Sequence, residues 1–173
     1  MKNLLNTLFK FCVLIICFLV TESFIQAQND WNGLTPLKST KADAEKLLGK
    51  QTNVSVEGFG SYENGQERVY IWYASGRCEN SDGAQWNVPK DSITRITIDP
   101  SKKLLISSLK LDLTKFEKVI VPPITNKAFY ISEDKSQEIE VFIDENGNEQ
   151  IDLITFLPGR SKADLRCGNH KSS

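Results

Sequence analysis

From Phe59 onward, apolar and polar positions alternate with a period of two in short runs separated by turn signals, the pattern of half-buried β-strands. It predicts strands at 59–62, 69–73, 93–98, 128–132, 138–143 and 151–157. Asn64-Gly65 and Asn146-Gly147 mark tight turns, because both residue types tolerate positive φ. In the third strand, Ile96 and Ile98 share one face while Arg95 and Thr97 share the other. Before the first strand the period changes. Trp31-Asn32-Gly33-Leu34-Thr35-Pro36-Leu37 is a short apolar lead-in, and Thr40 with Asp43 three residues on has the form of a capping box. Ala44, Leu47 and Leu48 fall on one helical face before Gly49 ends the segment, so a helix is expected at about 41–48. Eight residues do not make a stable isolated helix, and the sheet is the surface for it to pack on.

The second half repeats this order. Thr114 and Glu117 resemble a cap ahead of a short helical segment at Phe116–Val119, with Pro122-Pro123 closing it, and three strands follow. Ile93-Thr94-Arg95-Ile96-Thr97-Ile98-Asp99-Pro100 aligns without a gap on Ile151-Asp152-Leu153-Ile154-Thr155-Phe156-Leu157-Pro158. Each half then reads α-β-β-β, with repeat one at about 34–100, repeat two at about 109–158 and a tail at 159–173. Chance similarity among amphipathic strands is the competing explanation. The expected fold class is α+β, two such units forming an antiparallel sheet with short helices on one face.

The N-terminus departs from this pattern. Lys2 and Lys10 precede the apolar run Phe11–Val20, and Ile25-Gln26-Ala27-Gln28 follows, which reads as a signal peptide over 1–27 cleaved after Ala27. The run is about half of the roughly 20 apolar residues that span a bilayer. An acylated cysteine at Cys12 or Cys17 would require a small residue before it, where Phe11 and Ile16 stand. Membrane association is thus expected only if the signal is retained or acylated. Of 173 residues, 27 are removed and 146 remain, the size of one α+β domain at 28–173.

Cleavage removes Lys2, Lys10 and Glu22, leaving 19 basic and 21 acidic residues and a formal charge of −2 without long runs of either sign. That balance argues against nucleic acid or anionic membrane as a partner. It also leaves two cysteines, Cys78 and Cys167, which in an oxidising compartment are expected to form one disulfide from mid-chain to the C-terminal end.

No catalytic constellation is apparent. The only histidine is His170, three residues from the end of the chain, and one histidine with two bridged cysteines does not supply a zinc site. Asp144-Glu145-Asn146-Gly147-Asn148-Glu149 has glycine at the fourth place where a calcium loop requires it at the sixth, so it reads as a hairpin. No phosphate-binding glycine loop or dinucleotide fingerprint is present. The expectation is a non-enzymatic protein without a cofactor or metal. A paired-carboxylate hydrolase and a small-ligand carrier are the alternatives.

Binding residues are suggested by the strand at 69–73. Val69, Ile71 and Tyr73 point one way, and Tyr70 and Trp72 the other. If helices cover the first face, the second presents large amphipathic aromatics suited to binding, with Arg95 beside them and Phe142 in the corresponding register of the other half, next to Glu140. The loop 75–91 covering that face would instead make them core. Trp86, in Trp86-Asn87-Val88-Pro89, is a recognition element on one reading and packs near the disulfide on the other.

The run Gly33-x-x-Pro36-Leu37-x-Ser39-Thr40-x-x-Asp43-x-x-x-Leu47-Leu48-Gly49 resembles the helix signature of SmpA/OmlA-type outer-membrane assembly lipoproteins and of the beta-lactamase-inhibitor-protein superfamily. The mature chain, including Trp86-Asn87-Val88-Pro89, also resembles a group of exported bacterial proteins of unknown function. The first resemblance implies an α-α-β-β-β unit, in tandem in the inhibitor proteins, and a role in binding another exported or envelope protein through a sheet face or loops. An inhibitor or adaptor is expected on that basis, with a cell-envelope assembly component as the alternative.

Overall fold

The computed structural model describes residues 29–52, 58–78, 85–120 and 126–168. The predicted signal segment with Cys12 and Cys17, the Pro122-Pro123 pair and His170 lie outside the described residues. Seven strands form one antiparallel sheet: β1 (Phe59–Asn64), β2 (Glu67–Tyr73), β3 (Ile93–Pro100), β4 (Phe116–Ile120), β5 (Lys127–Ser132), β6 (Gln137–Ile143) and β7 (Glu149–Phe156). Their order is β1-β2-β3-β7-β6-β5-β4. With one α-helix, α1 (Lys41–Leu48), and 3-10 segments at Ile106–Ser108, Leu113–Lys115 and Arg160–Leu165, the described residues form an α+β fold.

The capping box at α1 forms as its sequence predicts. The Asp43 carboxylate accepts the Thr40 backbone N–H at 2.8 Å, and the Thr40 hydroxyl accepts the Asp43 N–H at 3.4 Å. The Thr40 N–H and the Thr40 hydroxyl, both donating to it, hold the Asp43 carboxyl below its ordinary range. Gly49 leaves the helix at φ +83°, a conformation that side chains disfavour. The lead-in is tied to the start of β3: Leu37 N–H donates to Ile93 O at 2.6 Å, and Ile93 N–H to Ser39 O at 2.8 Å. Ala44 is fully buried and Leu48 packs on the core, but Leu47 is 47% exposed rather than inward. At about 100° per residue Leu47 lies one full step around the helix from Leu48, too far to share its seam.

One face of the sheet is core. Tyr62, Val69, Ile71, Ile96, Ile98 and Phe156 pack there with Ala44 and Leu34, and Ala128, Tyr130, Ile139, Val141 and Ile151 pack there with Ile106. Ile154 touches both clusters, so the apolar layer is continuous across β7. Helix and 3-10 segment thus cover the same face. The two aligned sequence stretches turn out to be the two central strands. Ile96 pairs with Phe156, Thr97 with Thr155 and Ile98 with Ile154. Thr97 and Thr155, 58 residues apart, occupy matching places in the alignment and hydrogen-bond through their hydroxyls at 3.0 Å.

The halves differ at their ends. Phe116–Val119, expected to be helical, is strand β4, paired with β5 from Phe116↔Ser132 to Ile120↔Ala128. The cap forms one residue pair earlier and holds only a 3-10 turn: Asp112 accepts from the Thr114 N–H and hydroxyl. The free edge of β5 then satisfies the backbone of 116–120, an option the amphipathic spacing of Phe116 and Val119 did not reveal. The α-β-β-β order therefore describes the first half, while the second runs β-β-β-β. The turn at Asn64-Gly65 is also shifted, since Asn64 still pairs with Glu67 and the two turn residues are Gly65 and Gln66.

Candidate functional site

The other face of the sheet carries the predicted aromatics. Val69, Ile71 and Tyr73 are buried, while Tyr70 and Trp72 are half-buried on the opposite side. Cα pairing sets Phe59 beside Trp72 and Trp72 beside Arg95, on β1, β2 and β3. Phe59 meets Trp72 edge-on at 5.2 Å between centroids and stacks on Tyr70 at 6.1 Å. The exposed Arg95 guanidinium lies 5.2 Å from the Trp72 ring centroid. This row is amphipathic: an apolar floor with a cation fixed at its edge.

A groove of about 1000 Å³ opens where β2 leaves the sheet and β3 enters it. Trp72 and Arg95 from the sheet line it, together with Trp86 from the 75–91 loop and Arg160, Arg166 and Leu157–Gly159 from the C-terminal segment, which form its walls. The walls are joined by the Cys78–Cys167 disulfide, whose Cα atoms are 5.5 Å apart. Backbone bonds reinforce that junction: Cys167 N–H donates to Gln85 O at 2.8 Å, and Asn87 N–H to Leu165 O at 2.6 Å. Trp86 is 8% exposed and packs with Ala74, Val88, Leu37 and Leu165. Its packing role accordingly dominates, although it also lines the groove. The Arg166 guanidinium lies 4.8 Å from the centroid of its ring.

A second docking contact fixes the groove's far side. Arg160 N–H donates to Asp134 O and Leu157 N–H to Ser136 O, both at 2.7 Å, which ties the chain after β7 to the β5–β6 turn. That turn is itself locked by the Asp134 carboxylate, which accepts from the Ser132 and Ser136 hydroxyls and the Ser136 N–H. Burial raises the Asp134 pKa, but these donors outweigh it and leave the carboxyl below its ordinary range. Gly159, at φ +74°, has no room for a side chain without pressing on Ser136, 3.2 Å away.

Four cations line this groove, Arg95, Lys135, Arg160 and Arg166, and among the described residues no carboxylate does. All four are exposed, and among the described residues none is ion-paired. Arg95 and Trp86 were legible as candidates from their sequence surroundings. Lys135, Arg160 and Arg166 were not, although the expected disulfide offered a signal: whatever flanks Cys167 must come to lie beside Cys78 and its loop.

Phe142 shares the open face but not the groove. It pairs with Lys127 and Gln150, toward the end of the sheet opposite Trp72. Lys103 approaches its ring at 6.0 Å. The central pairs also show that the counterpart of Trp72 is Glu140, since Trp72 faces Arg95 and Glu140 faces Leu153, each two residues before its central threonine. Two lysines on the strands of this half are ion-paired. Lys127 bonds Glu140 and, at 3.0 Å, Asp152, while Lys118 bonds Glu149. Hydrogen bonds to these carboxylates raise both lysine pKa values.

Other polar groups close turns and core contacts. Asp144 accepts from Asn146 and Asn148 N–H and from the Asn148 and Gln150 side chains, which closes the β6–β7 hairpin. Tyr62 and Tyr73 share a buried hydroxyl–hydroxyl bond of 2.6 Å, and burial followed by that bond pushes the Tyr73 pKa well up. Among the described residues, no cluster of three His, Cys, Asp or Glu side chains is placed to hold a metal, and no helix is long and apolar enough to cross a membrane.

No protein-family model matches the chain, and no curated protein matches it. Among solved structures it is similar to a DUF4309 family protein (YjgB) from Bacillus subtilis, at 19% identity, with a TM-score of 0.46, over 73% of this chain and 82% of that one.

Proposed function

We propose that this protein is an exported, non-enzymatic binding module that engages another exported or envelope protein through the Trp72–Arg95 groove. The observation that carries the reading is the row Phe59, Tyr70, Trp72 and Arg95, half-buried to exposed on a sheet face whose reverse side is fully used as core. Aromatic side chains bury large areas at small entropic cost, and an open floor of them beside a concave rim has the anatomy of a binding hot spot. Export is supported by the signal-like N-terminus and by a disulfide that closes the groove's rim. The pairing of matching threonines at the sheet centre favours descent from a duplicated three-stranded unit, one copy of which holds the groove.

A crosslinking pull-down from the native envelope and medium, with wild type and a folded Tyr70→Ala/Trp72→Ala variant, tests the assignment. A protein partner captured by wild type and lost in the variant is the expected result. Identical partners from both would remove the groove from the binding surface.

A further inference from the structure

We infer that the groove receives an extended acidic segment of a partner polypeptide, its carboxylates held by Arg95, Arg160, Arg166 and Lys135. This deepens the proposed protein-binding role and rests on it. The formal charge of the mature sequence, taken to begin at Gln28, is −2, so a groove with four exposed cations and, among the described residues, no carboxylate stands apart from its surroundings. None of the four serves an ion pair among the described residues, whereas lysines elsewhere on the sheet do. Unpaired cations gathered in one concavity repel one another, and an anionic occupant relieves that repulsion.

The arrangement also selects the kind of anion. Two of the guanidinium groups lie against indole rings, Arg95 on Trp72 and Arg166 on Trp86. Such cation–π contact restrains a guanidinium while its N–H groups stay available for contact with a carboxylate. Because those ring faces are occupied and Trp86 is 8% exposed, little indole surface remains as a platform for sugar rings. The cations come from β3, from the β5–β6 turn and from both ends of the 160–165 segment, around a volume at the upper end of small-ligand pockets. They surround a chain rather than converge on one phosphate. Trp72, Leu157 and Pro158 supply apolar wall for the segment's backbone and methylenes.

Fluorescence polarisation with a dye-labelled octa-glutamate peptide, at 20 and 300 mM salt, tests this. Wild type is expected to bind it at least tenfold more tightly than octa-glutamine, with affinity falling at the higher salt. The exposed double variant Arg95→Gln/Arg160→Gln should lose at least tenfold, while Lys102→Gln/Lys110→Gln, which removes equal charge outside the groove, should change it less than twofold. Absence of octa-glutamate binding at millimolar peptide would overturn the inference, as would equal loss in both double variants. Octa-glutamine binding as tightly as octa-glutamate, with dependence on Trp72, would overturn the acidic preference and leave the protein-binding role standing. Displacement by polygalacturonate or inorganic phosphate at lower concentration than unlabelled octa-glutamate would assign the groove to that anion and overturn the peptide.

Discussion

The two halves of the sheet meet through matching strands and each holds ion pairs, Arg68–Asp99 in one and Lys127–Glu140 in the other, yet they treat charge differently at the places of Trp72 and Arg95. In the β5–β7 half, the place of Trp72 is taken by Glu140 and that of Arg95 by Leu153, and the Glu140 carboxylate is neutralised by Lys127. In the β1–β3 half, Arg95 rests on an aromatic ring with no carboxylate partner among the described residues, and three more cations without such a partner join it from the other half's turn and tail. Where the first half opens into a groove, the second is closed against an added strand, β4, whose Lys118 reaches Glu149. A satisfied, ion-paired surface serves the fold. An amphipathic concavity with uncompensated charge serves something the fold itself does not contain, and that contrast locates the site better than any single residue.

The largest expected effect concerns the element that only one half possesses. Cys78 and Cys167 close a separation of 89 residues, and removing such a crosslink costs about 4 kcal/mol by the chain-entropy relation. A Cys78→Ser/Cys167→Ser variant should melt about 10 °C lower by calorimetry. It should also lose the groove selectively, since the Gln85–Arg166 wall depends on that junction while the β5–β7 half does not. A melting temperature unchanged by the double substitution would show that the backbone bonds alone hold the wall.

Next comes the equivalence of the two cores. Ile71 and Ile139 occupy matching places next to the central pairs, and both are completely buried. Ile71→Ala and Ile139→Ala should each cost about 3 kcal/mol in urea unfolding, and each should preserve a single transition, because Ile154 joins the two clusters. Two separated transitions in either variant would show that the halves fold independently and that the central pairing is weaker than its geometry implies.

Much of this architecture could be read from local sequence. The capping box at Thr40 and Asp43, the alternation in β2 and β3, and the Cys78–Cys167 pairing each depend on one short-range or compartmental rule, and each appears in the structure. The failures occur where distant partners decide. Phe116–Ile120 becomes a strand because β5 offers an edge, which the segment's own spacing does not encode. Phe142 and Trp72 look equivalent as aromatics on the same face, but the order of strands sends them to opposite ends of the sheet. The groove's cations fall in the β5–β6 turn and the C-terminal tail, and only the docking of Arg160 and Cys167 onto those elements brings them together.

The smallest expected effect isolates the difference in charge treatment itself. Lys127→Met removes the partner of Glu140, whose side chain is 16% exposed, and leaves that carboxylate partly desolvated without compensation. The variant should lose about 1 kcal/mol, with the loss shrinking as salt is added. Arg95→Met removes a cation that has no carboxylate to abandon, and the methionine keeps its packing against Trp72. Its stability should stay within about 0.5 kcal/mol of wild type, with any change at low salt in the stabilising direction because repulsion in the groove falls. Urea midpoints at 20 and 500 mM salt separate the two cases. Equal destabilisation by both substitutions would mean that Arg95 is as structural as Lys127, and the contrast between a fold-serving half and a ligand-serving half would collapse.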